Sequence, residues 1–153
     1  MVLEHELTHA LFAWATFHRV VAFRATVRSG GHVQILGRGN WLITVAPYFV
    51  PTASLLAIVA LGWLPSRYLL YGNVGLGATI AYHVVSTVSE THRHQPDLAR
   101  AGWLFSGLFL PSANLISLGI VVSYAAGLHP LAHMTEVPAM TRLVWDSVLA
   151  SIR

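Results

Sequence analysis

The sequence predicts an all-α polytopic membrane protein: a single domain over residues 1–153 with about four transmembrane helices, a small β-hairpin between the first two, and a C-terminal amphipathic helix. Three observations carry this expectation. Hydrophobic residues make up 55% of the chain and charged residues 10%, with a mean hydropathy of +0.61, whereas a water-soluble domain carries about a quarter charged residues. The stretches 41–64, 69–88 and 101–128 contain no Lys, Arg, Asp or Glu. Between the first apolar segment and these lies a short run in which apolar and polar residues alternate around a Gly-Gly pair.

Taken in order, segment 2–20 is apolar apart from Glu4, His5, Glu6, His9, His18 and Arg19. It lacks the basic n-region of a signal peptide, so it is expected to remain in the chain as the first span. Val21, Phe23, Ala25 and Val27 then alternate with Ala22, Arg24, Thr26 and Arg28, and Ser29-Gly30-Gly31 leads to Val33 and Ile35. Period 2 about a glycine turn predicts a hairpin, ended by Gly37 and Gly39. In 41–64, Pro47 and Pro51 predict kinks. In 69–88, Asn73, Gly77 and Ala81 recur every four residues and predict close contact with another helix. The run Glu90 to Leu98 has the composition of a solvated loop. From 138 onward Met140, Leu143, Val144, Val148 and Ile152 recur at helical spacing opposite Arg142, Asp146 and Arg153. That predicts a helix lying on the membrane surface or packed on the bundle.

The composition also excludes functions. With no cysteine there is no disulfide framework, thiolate metal site or cysteine nucleophile. All nine basic residues are Arg, scattered singly, which is the wrong footprint for nucleic acid. Arg19, Arg24, Arg28, Arg38, Arg93 and Arg100 on one side, against Arg67, Arg142 and Arg153 on the other, place the hairpin and the 90–100 loop in the cytoplasm.

His5-Glu6-Leu7-Thr8-His9 is an HExxH motif. Histidines at i and i+4 project from one helix face, so two imidazoles can reach one zinc while the adjacent Glu activates water. A catalytic site needs a third protein ligand. The residues available are His32, His83, Glu90, His92, His94, Asp97, Asn114, His129, His133, Glu136 and Asp146. His83 lies inside a span and could ligate from a regular helix. Asp97 would need its loop to enter the bundle, but its anionic oxygen would offset part of the dication's charge. Asn114 could steady substrate or the zinc water, or hydrogen-bond another helix.

The sequence HELTHA at the start of an apolar helix, the Gly-rich hairpin after it, a following span, and Gln95-Pro96-Asp97 together resemble the core of the site-2 proteases, the intramembrane zinc metalloproteases. The resemblance covers roughly residues 3 to 120. It implies zinc as cofactor, His5 and His9 as ligands, Glu6 as general base and Asp97 as third ligand, at the family's Asp-Gly position with Leu98 in place of the glycine. It further implies a hairpin that receives a transmembrane substrate as an added strand, and a bacterial cytoplasmic membrane as location. His5 falls about 6 Å from the helix start, so the sequence expects either a shallow site or a chain that begins earlier than Met1. A membrane zinc-binding or scaffold protein without hydrolytic activity is the alternative. No nucleic-acid partner is expected.

Overall fold

The computed structural model describes residues 1–26 and 30–127. The expected C-terminal helix lies outside the described residues, as do Val27, Arg28, Ser29, His129, His133, Glu136, Arg142, Asp146 and Arg153. Helix α1 (Val2–Ala15) leads into an antiparallel hairpin of β1 (Val20–Thr26) and β2 (Gly30–Ile35). Next come α2 (Trp41–Val45), a 3-10 turn (Ala46–Tyr48), α3 (Thr52–Leu61), a second 3-10 turn (Ser66–Tyr68), α4 (Leu69–Glu90), α5 (Pro96–Ala101) and α6 (Trp103–Ala125).

The expectation of about four spans is overturned. Among the described residues only α6 is long and apolar enough to cross a membrane by itself, and α2 with α3 would add a second only if the bent pair is one span. Each difference has a local cause. Helix α1 stops at Ala15, where the Thr16 hydroxyl bonds back to the Phe12 carbonyl at 2.7 Å and Phe17 takes the left-handed φ of 61°. Its 14 residues reach about 21 Å, short of the roughly 30 Å of hydrocarbon. Helix α4 has the length, but Tyr71, Asn73, Tyr82, His83 and its glycines dilute its apolar content.

The 41–64 segment is broken where a kink was expected, with its two limbs bent by 73°. Proline explains the break: Pro47 has no N–H to give the Ile43 carbonyl, and Pro51 excludes Val50 from helical backbone. The freed groups all find side chains. The Ile43 carbonyl accepts from His9 Nδ1 at 2.7 Å, and the Tyr48 carbonyl from Asn114 Nδ2 at 2.8 Å. The Phe49 carbonyl accepts from the Ser117 hydroxyl at 2.5 Å. The Ala53 N–H, an orphan donor in the first turn of α3, is taken by Glu4 Oε1 at 2.9 Å.

The hairpin is paired as the alternation predicts, with Phe23 opposite Val33 and Arg24 opposite His32, and an irregularity between Val20 and Ala22. It packs on α1. Gly31 makes this approach possible, because a Cβ there would lie 2.5 Å from Glu6 Cγ and 2.9 Å from Val2 Cγ1. Two small apolar cores hold the helices: Val45, Tyr48, Leu98 and Leu110 beside α5, and Leu61, Leu76 and Val121 between α3, α4 and α6.

Polar groups share the interior while large apolar side chains are exposed. Buried positions include Glu6, Thr8, Thr52, Ser54, His83 and Ser106, while Leu70, Val74, Val88, Leu104, Leu108, Leu115 and Ile116 on α4 and α6 are exposed. The stripe expected to contact a neighbouring helix points outward as well: Asn73, Gly77 and Ala81 are exposed. The face of α4 that packs carries Gly72, Leu76 and His83, and a Cβ at Gly72 would meet the side chains of Leu61 and Leu64.

A paired substitution separates the two faces of α4. Gly72→Leu should destabilise the protein by about 1–3 kcal/mol through overpacking, whereas Gly77→Leu, with nothing within 4 Å of its Cβ position, should cost nothing measurable. Unfolding midpoints in detergent compare them, and equal losses at both positions would contradict this packing.

Candidate metal centre

Helix α1 presents His5 and His9 one turn apart, with ring centroids 4.8 Å from each other. Their Nε2 atoms are separated by 3.1 Å. Asp97 Oδ2 approaches His9 Nε2 to 3.4 Å and His5 Nε2 to 3.7 Å. Tetrahedral zinc bonds of about 2.0–2.2 Å place neighbouring ligand atoms roughly 3.3 Å apart, and the observed triangle matches that edge length. These three side chains form the group that could hold a metal ion among the described residues.

Hydrogen bonding fixes which nitrogens face inward. The Ile43 carbonyl can only accept, so His9 Nδ1 carries the proton and Nε2 presents its lone pair. His5 Nδ1 donates in the same way to Glu90 Oε2 at 2.7 Å. With both imidazoles neutral, two lone pairs and a carboxylate oxygen converge, an arrangement that a shared proton or a metal ion relieves. The acid–base balance of the group says the same. Burial alone would lower His5, but hydrogen bonds to Asp97 and Glu90 and their negative charge push it up to about 9. Burial would raise Asp97, yet the hydrogen bonds and charges of His5 and His9 hold it well below the usual carboxylate range. When no metal is present, a proton is drawn into this space.

Residues 91–94 form an exposed loop as expected, and Asp97 reaches the site because the run turns inward after them. Pro96 opens α5, and Leu98 is fully buried in the core with Val45, Tyr48 and Leu110. Leu98 is thus an apolar anchor that pins the turn carrying Asp97. Tyr48 supports it from the other side. Its ring stands edge-on to His5 at 5.2 Å, and its hydroxyl donates to Asp97 Oδ2 at 3.5 Å.

The other expected residues sit elsewhere. His83 is buried on α4, hydrogen-bonded to Asn114 Oδ1 at 3.3 Å and the Thr87 hydroxyl at 3.4 Å, and does not belong to the converging group. Asn114 takes the interhelical role, gripping the Tyr48 and Leu110 carbonyls. It therefore acts on the site only through Tyr48. His92 and His94 are exposed. Tyr48 and the Ile43 carbonyl were not singled out by sequence reasoning, and no local pattern marks them. The sequence offers Glu90 only as a metal ligand; its closeness to an HExxH histidine is a tertiary fact.

Glu6, 7% exposed, lines the same cavity as the three ligands. This cavity of about 870 Å³ is walled by β2 residues Gly31, His32, Val33 and Ile35, by Trp41 and Thr44, and by Gln95 and Arg100. Burial raises the Glu6 carboxyl above its ordinary value, against the opposing pull of His9 and His5. No family model, curated protein or solved structure matches the chain.

The geometry predicts about one metal ion per purified chain. His5→Ala, His9→Ala and Asp97→Ala should each reduce the content below about a tenth of an equivalent, because two remaining ligands hold zinc weakly, while His83→Ala should leave it unchanged. Elemental analysis decides. Metal retained by Asp97→Ala but lost by His83→Ala would reverse the assignment.

Proposed function

We propose that the protein is a membrane-embedded zinc endopeptidase that hydrolyses a peptide bond in or near a transmembrane segment of another protein. The observation that carries the reading is the convergence of His5, His9 and Asp97 in a 3.1–3.7 Å triangle on the cavity that also holds Glu6. Two imidazoles and one carboxylate form a donor set typical of catalytic zinc, with a fourth position left for water or substrate. Membrane embedding is supported by the 23-residue apolar α6 and by the many large apolar side chains exposed on α4 and α6, more than a water-facing surface carries.

Bound zinc would supply a Lewis acid that polarises the scissile carbonyl and acidifies water at the site. The chain's own residues do the rest. Glu6 takes a proton from the water that attacks the carbonyl and passes it to the departing amine as the C–N bond breaks. Its raised affinity for protons suits that exchange, since a base works best with a pKa nearer the working pH. The Ile43 carbonyl and Glu90 keep both imidazoles in one tautomer, and Leu98 and Tyr48 keep the Asp97 carboxylate aimed at them.

Substrate must arrive unwound, because a helix hides its scissile bonds within its own hydrogen bonding. Among the described residues strand β2 pairs only with β1, and its Gly31, His32, Val33 and Ile35 border the cavity. A peptide added along that border would be held extended through its backbone, with the scissile bond over Glu6.

Glu6→Gln keeps the shape of the side chain and removes the base. Cleavage of a transmembrane reporter in reconstituted vesicles should fall by at least about a hundredfold, with metal content unchanged. A Gln variant that cleaves at the wild-type rate removes Glu6 from the mechanism; a wild-type protein that holds metal and cleaves no membrane substrate would favour the binding-protein alternative.

A further inference from the structure

The HExxH histidines are held by two different kinds of group, and the difference assigns a role to a residue outside the motif. His9 donates its Nδ1 proton to a neutral backbone carbonyl. His5 donates its own to a carboxylate, Glu90 Oε2, at 2.7 Å. Glu90 is the last residue of α4, 85 positions away in the chain, half-buried, and on the wall of the same cavity. Its oxygen meets the nitrogen of His5 that points away from Asp97, so it lies behind the ligand with respect to the converging Nε2 and Oδ2 atoms.

We infer that Glu90 is the positioning residue of this centre: through His5 it sets how tightly the metal is held, without itself being a ligand. The inference rests on the metal-site reading above. Three effects follow from a carboxylate in that place. It locks the Nδ1–H tautomer, so Nε2 is free to ligate. It fixes the ring plane, which in α1 would otherwise turn about its side-chain torsions. It also makes the imidazole a stronger donor, because negative charge behind the ring raises electron density at Nε2. His9 receives the first two effects from Ile43 but little of the third. Glu90 also makes α4 part of the site, tying the end of that long helix to α1.

The test compares Glu90→Ala, Glu90→Gln and Glu90→Asp with wild type in the full-length purified protein, reading zinc affinity by competition with a chromophoric chelator. Glu90→Ala should weaken zinc by roughly 10–100-fold. Glu90→Gln, whose amide oxygen still accepts from Nδ1 but carries no charge, should lose less than Ala and more than nothing. Glu90→Asp, which keeps the charge on a shorter side chain, should recover part of the Ala loss. X-ray absorption on the zinc-loaded wild type and Gln variant should give the same count of nitrogen and oxygen ligands. The role is overturned if Glu90→Ala binds zinc as tightly as wild type while His5→Ala does not. It is also overturned if an oxygen ligand disappears in the Gln variant, which would make Glu90 a ligand. A wild-type chain that takes up no zinc, with His5→Ala indistinguishable from it, would instead overturn the metal centre itself.

Discussion

A proline-broken helix buried against its neighbours must find partners for backbone groups that a continuous helix would have satisfied, and much of the site follows from how it does so. Pro47 withholds the N–H that Ile43 needs, and Pro51 ends the helical register ahead of α3. In an apolar interior each unpaired group would cost on the order of 1–3 kcal/mol. The carbonyls of Ile43, Tyr48 and Phe49 and the N–H of Ala53 are therefore met by His9, Asn114, Ser117 and Glu4. Helices α1 and α6 are docked onto the break by these bonds, and the bond to His9 is the one that turns its Nε2 toward His5. The site's first requirement, a fixed imidazole, comes from the same proline that breaks the helix.

Polar contacts join the helices alongside the two apolar clusters. Thr8 and Thr52 share a hydrogen bond at 2.6 Å between α1 and α3, and His83 with Asn114 links α4 to α6. Many large apolar side chains, Leu70, Leu104 and Leu115 among them, are exposed. The two apolar clusters are small, yet one of them is placed where it matters: Leu98 and Tyr48 pack together one residue from Asp97 on one side and against His5 on the other. Packing and coordination geometry are coupled at that point, so a cavity made at Leu98 would be felt as a displaced carboxylate.

The electrostatics of the centre are balanced by the same economy. Asp97 and Glu90 stand on opposite nitrogens of His5, and Glu6 lines the same cavity. Three carboxylates around two imidazoles form a cation-seeking space; Arg100, 3.8 Å from Asp97 Oδ1, has its side chain largely in the open. A dication satisfies more of that charge than a proton can.

What the sequence determined by itself was whatever depends on residues close along the chain. The face shared by His5, Glu6 and His9 follows from helical spacing, and the hairpin from alternation about Gly30-Gly31. The disruption at Pro47 and Pro51 was visible too, although only the structure showed a break instead of a kink, because bend angle depends on which side chains take up the freed carbonyls. Tertiary structure alone decided the rest. The choice between Asp97 and His83 turned on whether the 90–98 run entered the interior, and that depended on Leu98 finding a pocket made by Val45, Tyr48 and Leu110. Glu90 and Tyr48 gained their places from contacts 85 and 49 residues apart in the chain. The number of spans was misjudged for a related reason: apolar content shows that a segment avoids water, but its length as a straight helix is set by where the backbone turns and by what satisfies it there.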